Sequence, residues 1–265
     1  MAFVKAKKSL GQHFLTDINI AQRIVDSLSS NYTNVLEVGP GMGVLTQFLL
    51  QSEVYQTIAI DIDKDSVEYL KRKFSGYSEQ IVHGDFLNSD LSKFFPDQRV
   101  TIIGNFPYNI STQILFKILL YKDIVPEVVG MFQKEVAMRI AAPPGSKTYG
   151  ITSVLLQVYY DIEYLFTVDE HVFNPPPKVK SAVIRLTRNQ VQKLDCDEEL
   201  FVRVVKAGFN QRRKMLRNSI KQFIKDDRFS HPFLENRPEQ LSISEFVELT
   251  NSISLSQKQE RIIVD

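Results

Sequence analysis

Cysteine is almost absent from this 265-residue chain, where Cys196 stands alone. One thiol closes no internal disulfide and excludes a cysteine-rich zinc site. It suits a reducing compartment. The four histidines (His13, His83, His171 and His231) are scattered without ligand spacing, so no metal is expected. No apolar run approaches the roughly 18 residues that a membrane span needs. Residues 1–10 carry lysines but no apolar core of a secretory signal. The expected setting is soluble and cytoplasmic, with no membrane partner. There is no Gly-Lys dipeptide, which excludes a Walker phosphate loop. There is no G-x-S-x-G elbow either, so a serine hydrolase of that type has no support. What is present is ordinary in amount. Apolar residues at 43% and charged residues at 24% exclude disorder, collagen-like repeats and coiled-coil fibres. The length suits one large domain, or one large and one small.

The net charge of +1 hides a segregation. Residues 203–225 hold eight bases (Arg203, Lys206, Arg212, Arg213, Lys214, Arg217, Lys221 and Lys225) and no acid. The first sixteen residues carry Lys5, Lys7 and Lys8 and no acid, which leaves the rest of the chain at −10. Two basic segments on an acidic body suggest a polyanionic partner, although a solvated helix face gives the same pattern.

Short apolar runs recur at 35–38, 57–60, 80–83, 100–103 and 128–132, with helical stretches such as 44–51 and 66–73 between them. That alternation predicts βαβ units and a parallel sheet. Two later extended runs, 162–168 and 181–188, flank a loop with three prolines. They predict an antiparallel pair, with 181–188 patterned like an edge strand. The polar stretch 189–199 marks a boundary, giving domains 1–189 and 190–265. Beyond it the pattern predicts helices over 200–209, 213–224 and 244–251.

Ligands of open α/β sheets sit beyond the carboxyl ends of the strands. The first strand runs into Glu37-Val38-Gly39-Pro40-Gly41-Met42-Gly43. Glycines at alternate positions permit a sharp turn and close backbone approach to a ligand. The second strand ends at Asp61, where a carboxylate can accept from two ribose hydroxyls. The third ends at Gly84-Asp85, where an acid can accept from an adenine amine. Each acid alone is more often a helix cap; the three features in this order favour a nucleoside ligand.

The fourth strand ends in Asn105-Phe106-Pro107-Tyr108. This matches the Asn-x-Pro-Tyr pattern of enzymes that methylate the exocyclic nitrogen of adenine. That amine is conjugated with its ring and is a poor nucleophile. The Asn105 side-chain oxygen and the Phe106 carbonyl can accept its two hydrogens and draw the nitrogen toward sp³. Pro107 stiffens the turn, and Tyr108 offers a ring for a base to stack on. An ordinary turn also uses Asn and Pro.

From Lys8 to about Ile220 the chain resembles the small-subunit ribosomal RNA dimethyladenosine transferase family. The resemblance rests on Leu10-Gly11-Gln12-His13-Phe14-Leu15, on Glu37 to Gly43, on Gly84-Asp85 and on Asn105 to Thr112. It continues in Gln133-Lys134-Glu135-Val136, in Phe173-Asn174-Pro175-Pro176-Pro177-Lys178-Val179 with Ser181-Ala182-Val183, and in Phe209-Asn210-Gln211-Arg212-Arg213-Lys214. It implies an α/β fold: a class I S-adenosylmethionine methyltransferase sheet, mostly parallel and doubly wound with an antiparallel edge, plus a small all-helical C-terminal domain. It implies dimethylation of two adjacent adenosines near the 3′ end of small-subunit rRNA, in the immature subunit. The implied cofactor contacts are Gln12, His13, Leu15, Gly39, Gly41, Gly43, Asp61, Asp85 and Asn105. Phe173 is implied to stack on the target base opposite Tyr108. The expected RNA contacts are Lys5, Lys7, Lys8, Arg212, Arg213, Lys214, Arg217 and Lys221. Three positions depart from the family: His13 stands for Asn, Asp61 for Glu, and Phe106 for Leu or Pro. Two rivals stay open, a macrolide-resistance enzyme acting on large-subunit rRNA and a non-catalytic assembly factor.

Overall fold

The computed structural model describes residues 4–224 and 228–264, with side chains through residue 257. Residues 1–3 and Lys225 of the basic segment lie outside the described residues. The chain divides into two compact units, residues 1–137 with 160–189, and residues 138–159 with 190–265. The stretch 138–159 thus groups with the second unit, whereas the sequence pattern put it in the first.

The first unit is built on a seven-stranded sheet. Its strands are β2 (Asn34–Val38), β3 (Gln56–Asp61), β4 (Ile81–His83), β5 (Thr101–Asn105), β6 (Glu127–Gln133), β7 (Tyr160–Val168) and β9 (Ser181–Arg188). The order is β4-β3-β2-β5-β6-β9-β7. The first five are parallel, while β9 runs antiparallel to both β6 and β7. Every residue of β2 is buried, and β5 is buried but for Asn105. Strands covered on both faces read as unbroken apolar runs, which is why the parallel part was visible in the sequence. The edge was not: β9 lies between β6 and β7, so Ser181–Arg188 is an inner strand and β7 is the edge. Its polar Arg185 is kept there by Glu163 of β7 at 2.5 Å and by the Ser27 carbonyl at 3.2 Å. These contacts hold Arg185 on the sheet.

Two helices of this unit begin where an aspartate caps them. Asp17 accepts from Asn19 and Ile20 N–H at the start of α1 (Ile18–Val25). Asp63 accepts from Asp65 N–H at the start of α3 (Lys64–Lys73). Helices α2 (Thr46–Leu50) and α4 (Ser111–Leu120) follow β2 and β5. A separate two-stranded ribbon joins β1 (Phe14–Leu15) to β8 (Phe173–Asn174) and pairs Leu15 with Phe173.

The second unit's described residues hold helices and turns: α6 (Ile151–Gln157), α7 (Glu198–Asn210), α8 (Leu216–Ser219) and α9 (Ile243–Val264), after α5 (Lys134–Ile140) at the junction. Tyr149 is fully buried and meets the edge of Phe209, which in turn packs on Phe246. The helix expected over 213–224 is interrupted. Met215 is extended, and the Leu216 N–H donates to the Asn236 carbonyl at 2.8 Å. A tertiary bond thus takes the donor that a continuous helix would have used, and only α8 and a 3-10 turn at Lys221–Phe223 remain.

Candidate active site

The chain leaves β2 for β3 and β4 on one side, then returns to β5 on the other. That reversal opens a crevice at the carboxyl ends of β2 and β5. A cavity of about 300 Å³ lies there. Of the predicted cofactor residues, Gln12, His13, Gly39, Gly41, Asp61, Asp85 and Asn105 border it, as do Phe106, Pro107 and Tyr108. Residues far apart in the chain converge because parallel strands bring all their carboxyl ends to one edge.

Two of the predicted cofactor residues do not border this cavity. Leu15 is 3% exposed and belongs to the core. Gly43 has φ 76°, but a side chain at that position would strike Leu70 and Phe74, so its smallness serves packing against α3. Gly41 borders the cavity, but a Cβ there would strike the Phe14 ring, so of the three glycines Gly39 alone fits the expectation of open backbone, although Gly41 shares its conformation. Both have positive φ, and at Gly39 only the Pro107 ring comes within 4 Å of where a Cβ would lie. The backbone there is open to close approach.

Asp61 is buried, and its two oxygens accept from Gly41 N–H at 3.1 Å and Asp63 N–H at 2.9 Å. A carboxylate has further lone pairs, so it can still accept from a ligand hydroxyl. Burial raises its pKa, and those backbone bonds oppose the rise. Asp85 is half-buried and accepts from Leu87 N–H at 2.9 Å and Asn88 Nδ2 at 2.6 Å. Exposed Ile62 also lines the cavity. It was not predicted, and its signal was its place directly after Asp61.

Asn105 is oriented by its surroundings. Its Nδ2 donates to the His13 carbonyl at 2.9 Å. A carbonyl only accepts, so the amide's nitrogen must face His13. The side-chain oxygen is thereby turned away from His13 and free to accept. Phe106 presents only backbone to the crevice. Its ring is 1% exposed, lies 5.1 Å from the Phe132 ring and fills the space that a Cβ on Gly130 would need. A large ring is tolerated at this position because Gly130 and Gly104 leave room behind it.

The Tyr108 hydroxyl is hydrogen-bonded to Ser181 Oγ at 2.5 Å, which fixes the ring. Burial raises its pKa. One face of that ring is covered by His13, with centroids 5.5 Å apart and planes 24° from parallel. The His13 Nδ1 lies 2.8 Å from the Pro175 carbonyl. His13 therefore meets Asn105 through its carbonyl and Tyr108 through its ring.

Phe173 departs from its predicted role. It is 3% exposed and packs among Leu15, Ala21 and Ile24 in the core. Pairing of β8 with β1 sends Phe173 inward and leaves Asn174 outside. A ring so covered offers no face to a base.

The basic residues also separate. Lys7 is bound to Asp63 at 2.5 Å and to Asp65 at 2.7 Å, so it is an internal tie rather than a free cation. Gln12 is held too: Nε2 donates to Asp63 at 3.0 Å and Oε1 accepts from Lys7 N–H at 2.8 Å. Arg212 donates to the Ser146 carbonyl at 3.3 Å and lies 3.7 Å from Glu239. Arg217 pairs with Glu235 at 2.8 Å. Lys5, Lys8, Arg213, Lys214 and Lys221 carry no such tie among the contacts described, and all five are exposed.

Among the described residues no group of three or more His, Cys, Asp or Glu could hold a metal ion. No described helix is long and apolar enough to cross a membrane.

The sequence profile of the ribosomal RNA adenine dimethylase family matches residues 3–254. The chain is 61% identical to ribosomal RNA small subunit methyltransferase A of Cytophaga hutchinsonii, over 96% of this chain and 99% of that one. It is 58% identical to the protein of the same name from Parabacteroides distasonis, over 94% of each. Among solved structures it is similar to a dimethyladenosine transferase from Plasmodium falciparum, with TM-score 0.71 and 23% identity over 93% of this chain and 98% of that one. It is also similar to the 23S rRNA methyltransferase ErmE, with TM-score 0.64 and 23% identity over 94% and 99%. At that identity the two structures speak for the fold.

Proposed function

We propose, from the premise that this chain belongs to the ribosomal RNA adenine dimethylase family, that it methylates the exocyclic nitrogens of two adjacent adenosines near the 3′ end of small-subunit rRNA. It is an rRNA adenine-N6,N6-dimethyltransferase and uses S-adenosylmethionine. Asn105 carries this reading, because its donor end is tied to His13 and its acceptor end is left for an amine.

The residues present fit the cofactor. Open backbone at Gly39, buried Asp61, half-buried Asp85 and exposed Ile62 suit a nucleoside with two ribose hydroxyls, an amine and an apolar face. When bound, S-adenosylmethionine supplies an electrophilic methyl group on a sulfonium. The chain's own groups prepare the nucleophile. Asn105 Oδ1 and the Phe106 carbonyl accept the two amine hydrogens, so the nitrogen leaves the ring plane and its lone pair is freed. Pro107 holds the turn that aims both acceptors. Tyr108, fixed by Ser181, stacks on the adenine once the His13 ring yields its face. The methylated nitrogen is acidic while charged and needs no dedicated base to lose its proton.

The relatives named as small-subunit enzymes favour that subunit over the large one, and so do the Phe173–Val179 and Phe209–Lys214 stretches. The Asn105 arrangement favours turnover over a purely structural role in assembly, since binding alone does not require amine acceptors. The setting is cytoplasmic ribosome biogenesis. Tritiated methyl transfer to unmethylated small subunits, large subunits and DNA tests the reading. Label on small subunits alone is expected; label on large subunits, or none anywhere, overturns it.

RNA docking is assigned to Arg213, Lys214 and Lys221, with Lys5 and Lys8, because these cations are not committed to the internal ties that hold Lys7, Arg212 and Arg217. Replacing Arg213 and Lys214 with Ala flattens the salt dependence of subunit binding by up to about two log units per log unit of salt. Cofactor affinity stays put, because Gly39 and Asp61 belong to the other unit. A wild-type salt slope in filter binding would move the docking site elsewhere.

A further inference from the structure

Asp63 lies outside every predicted site, yet it gathers four groups. It caps α3 through Asp65 N–H at 3.1 Å and accepts from Ser66 Oγ at 3.2 Å. It also holds Lys7 Nζ at 2.5 Å and Gln12 Nε2 at 3.0 Å. The carboxylate is 2% exposed, so this ion pair is only partly screened by water. Burial pushes its pKa up, but Lys7 and Gln12 outweigh that and leave it below the usual range. It is an anion with both oxygens committed.

The two distant partners bracket one segment. Lys7 begins it and Gln12 nearly ends it, and Gln12 Oε1 closes the loop on Lys7 N–H. Ser9 to Phe14 forms one wall of the cavity. At its far end the His13 carbonyl fixes the Asn105 amide. We infer that Asp63 is a positioning residue: it latches residues 7–13 across the cofactor cavity and so sets cofactor affinity. The inference rests on the cavity being the cofactor site.

Asp63→Asn separates the latch from the cap. Asn caps a helix about as well as Asp, but it brings no charge for Lys7, and its amide cannot accept from both Lys7 and Gln12 while keeping the Asp65 bond. The expected result is a rise in cofactor KM and in calorimetric Kd of about 10–100-fold, the scale of a lost charge-assisted hydrogen bond. kcat at saturating cofactor falls by less than about threefold, because bound cofactor itself helps to hold the segment. Lys7→Ala gives a similar KM rise. The double variant is no worse than either single one, as expected of one shared interaction. Lys7→Arg restores KM to within about threefold of wild type.

A wild-type cofactor Kd in Asp63→Asn overturns the inference and reduces Asp63 to a helix cap, as does strict additivity in the double variant. Calorimetry reads cofactor binding without RNA. Failure of the latch is therefore distinguishable from failure of the functional reading, which would show as absent methyl transfer by the unmutated protein.

Discussion

Asn105→Ala lowers turnover on unmethylated small subunits by about 10²–10³-fold, the scale of one lost transition-state hydrogen bond, and changes RNA affinity little. Asn105 Oδ1 meets the amine hydrogens most strongly as the nitrogen pyramidalises, so the loss falls on the transition state. The chain's geometry adds a sharper expectation for Asn105→Asp. A carboxylate is the better acceptor, and on acceptor strength alone it should work. But the position faces the His13 carbonyl at 2.9 Å, which requires a donor. An aspartate there sets oxygen against oxygen and turns away or displaces residue 13. Both variants are therefore expected to be slow, and Asn105→Asp is expected to weaken cofactor binding besides, since residue 13 belongs to the latched segment. Single-turnover methylation at saturating cofactor measures the first effect, and calorimetry the second. Near-wild-type turnover in Asn105→Ala would remove Asn105 from the chemistry. Rapid turnover in Asn105→Asp would mean that the His13 bond does not orient the amide.

The parts of this molecule that were legible in the sequence share a physical cause. Buried parallel strands are continuous apolar runs, and the chain after each strand must turn sharply beside a ligand, so Gly39, Asp61, Asp85 and Asn105 announce themselves locally. The parts that were not legible depend on partners distant in the chain. Ser181–Arg188 reads as an edge because Arg185 is polar, yet Glu163 and the Ser27 carbonyl let it lie inside. Lys7 reads as a free base because its acids, Asp63 and Asp65, lie in another element. Phe173 reads as a platform because its motif is shared, while the register of β8 on β1 turns it into the core. The Asn236 carbonyl that interrupts the expected helix just ahead of Leu216 has no local signature at all. Asp63 depends on distant partners too: besides capping α3 it holds Lys7 and Gln12 from another part of the chain.

Glu37 shows how a residue inside the glycine-loop motif can carry a second consequence. It is 2% exposed on the innermost part of β2, and its Oε2 has no hydrogen-bond partner among the described residues. Burial, helped by the nearby charge of Asp61, pushes its pKa from the usual 4.5 up to about 8. At neutral pH it is therefore largely protonated in the folded chain and ionised in the unfolded one. The folded state binds the extra proton, so stability is full below pH 4.5 and is lost as pH rises toward and through 8. At about 1.4 kcal/mol per pKa unit, the loss amounts to about 5 kcal/mol at most. Asp61 and Glu127 are raised as well and add to the same slope. Asp63, Asp90 and Asp169 are lowered; their contribution is gained as pH rises toward the ordinary carboxylate range and stays flat above it. The window from about pH 5 to about pH 9 thus reports on the raised groups, and Glu37→Gln isolates one of them. Glutamine matches the shape of the protonated acid and does not titrate. The variant should resemble wild type near the acid end of that window and exceed it by several kcal/mol at the alkaline end, with an unchanged denaturant slope. Urea midpoints across that range provide the measurement. Parallel stability curves for the two proteins would mean that Glu37 finds a partner or water when ionised, and that its burial costs the fold nothing.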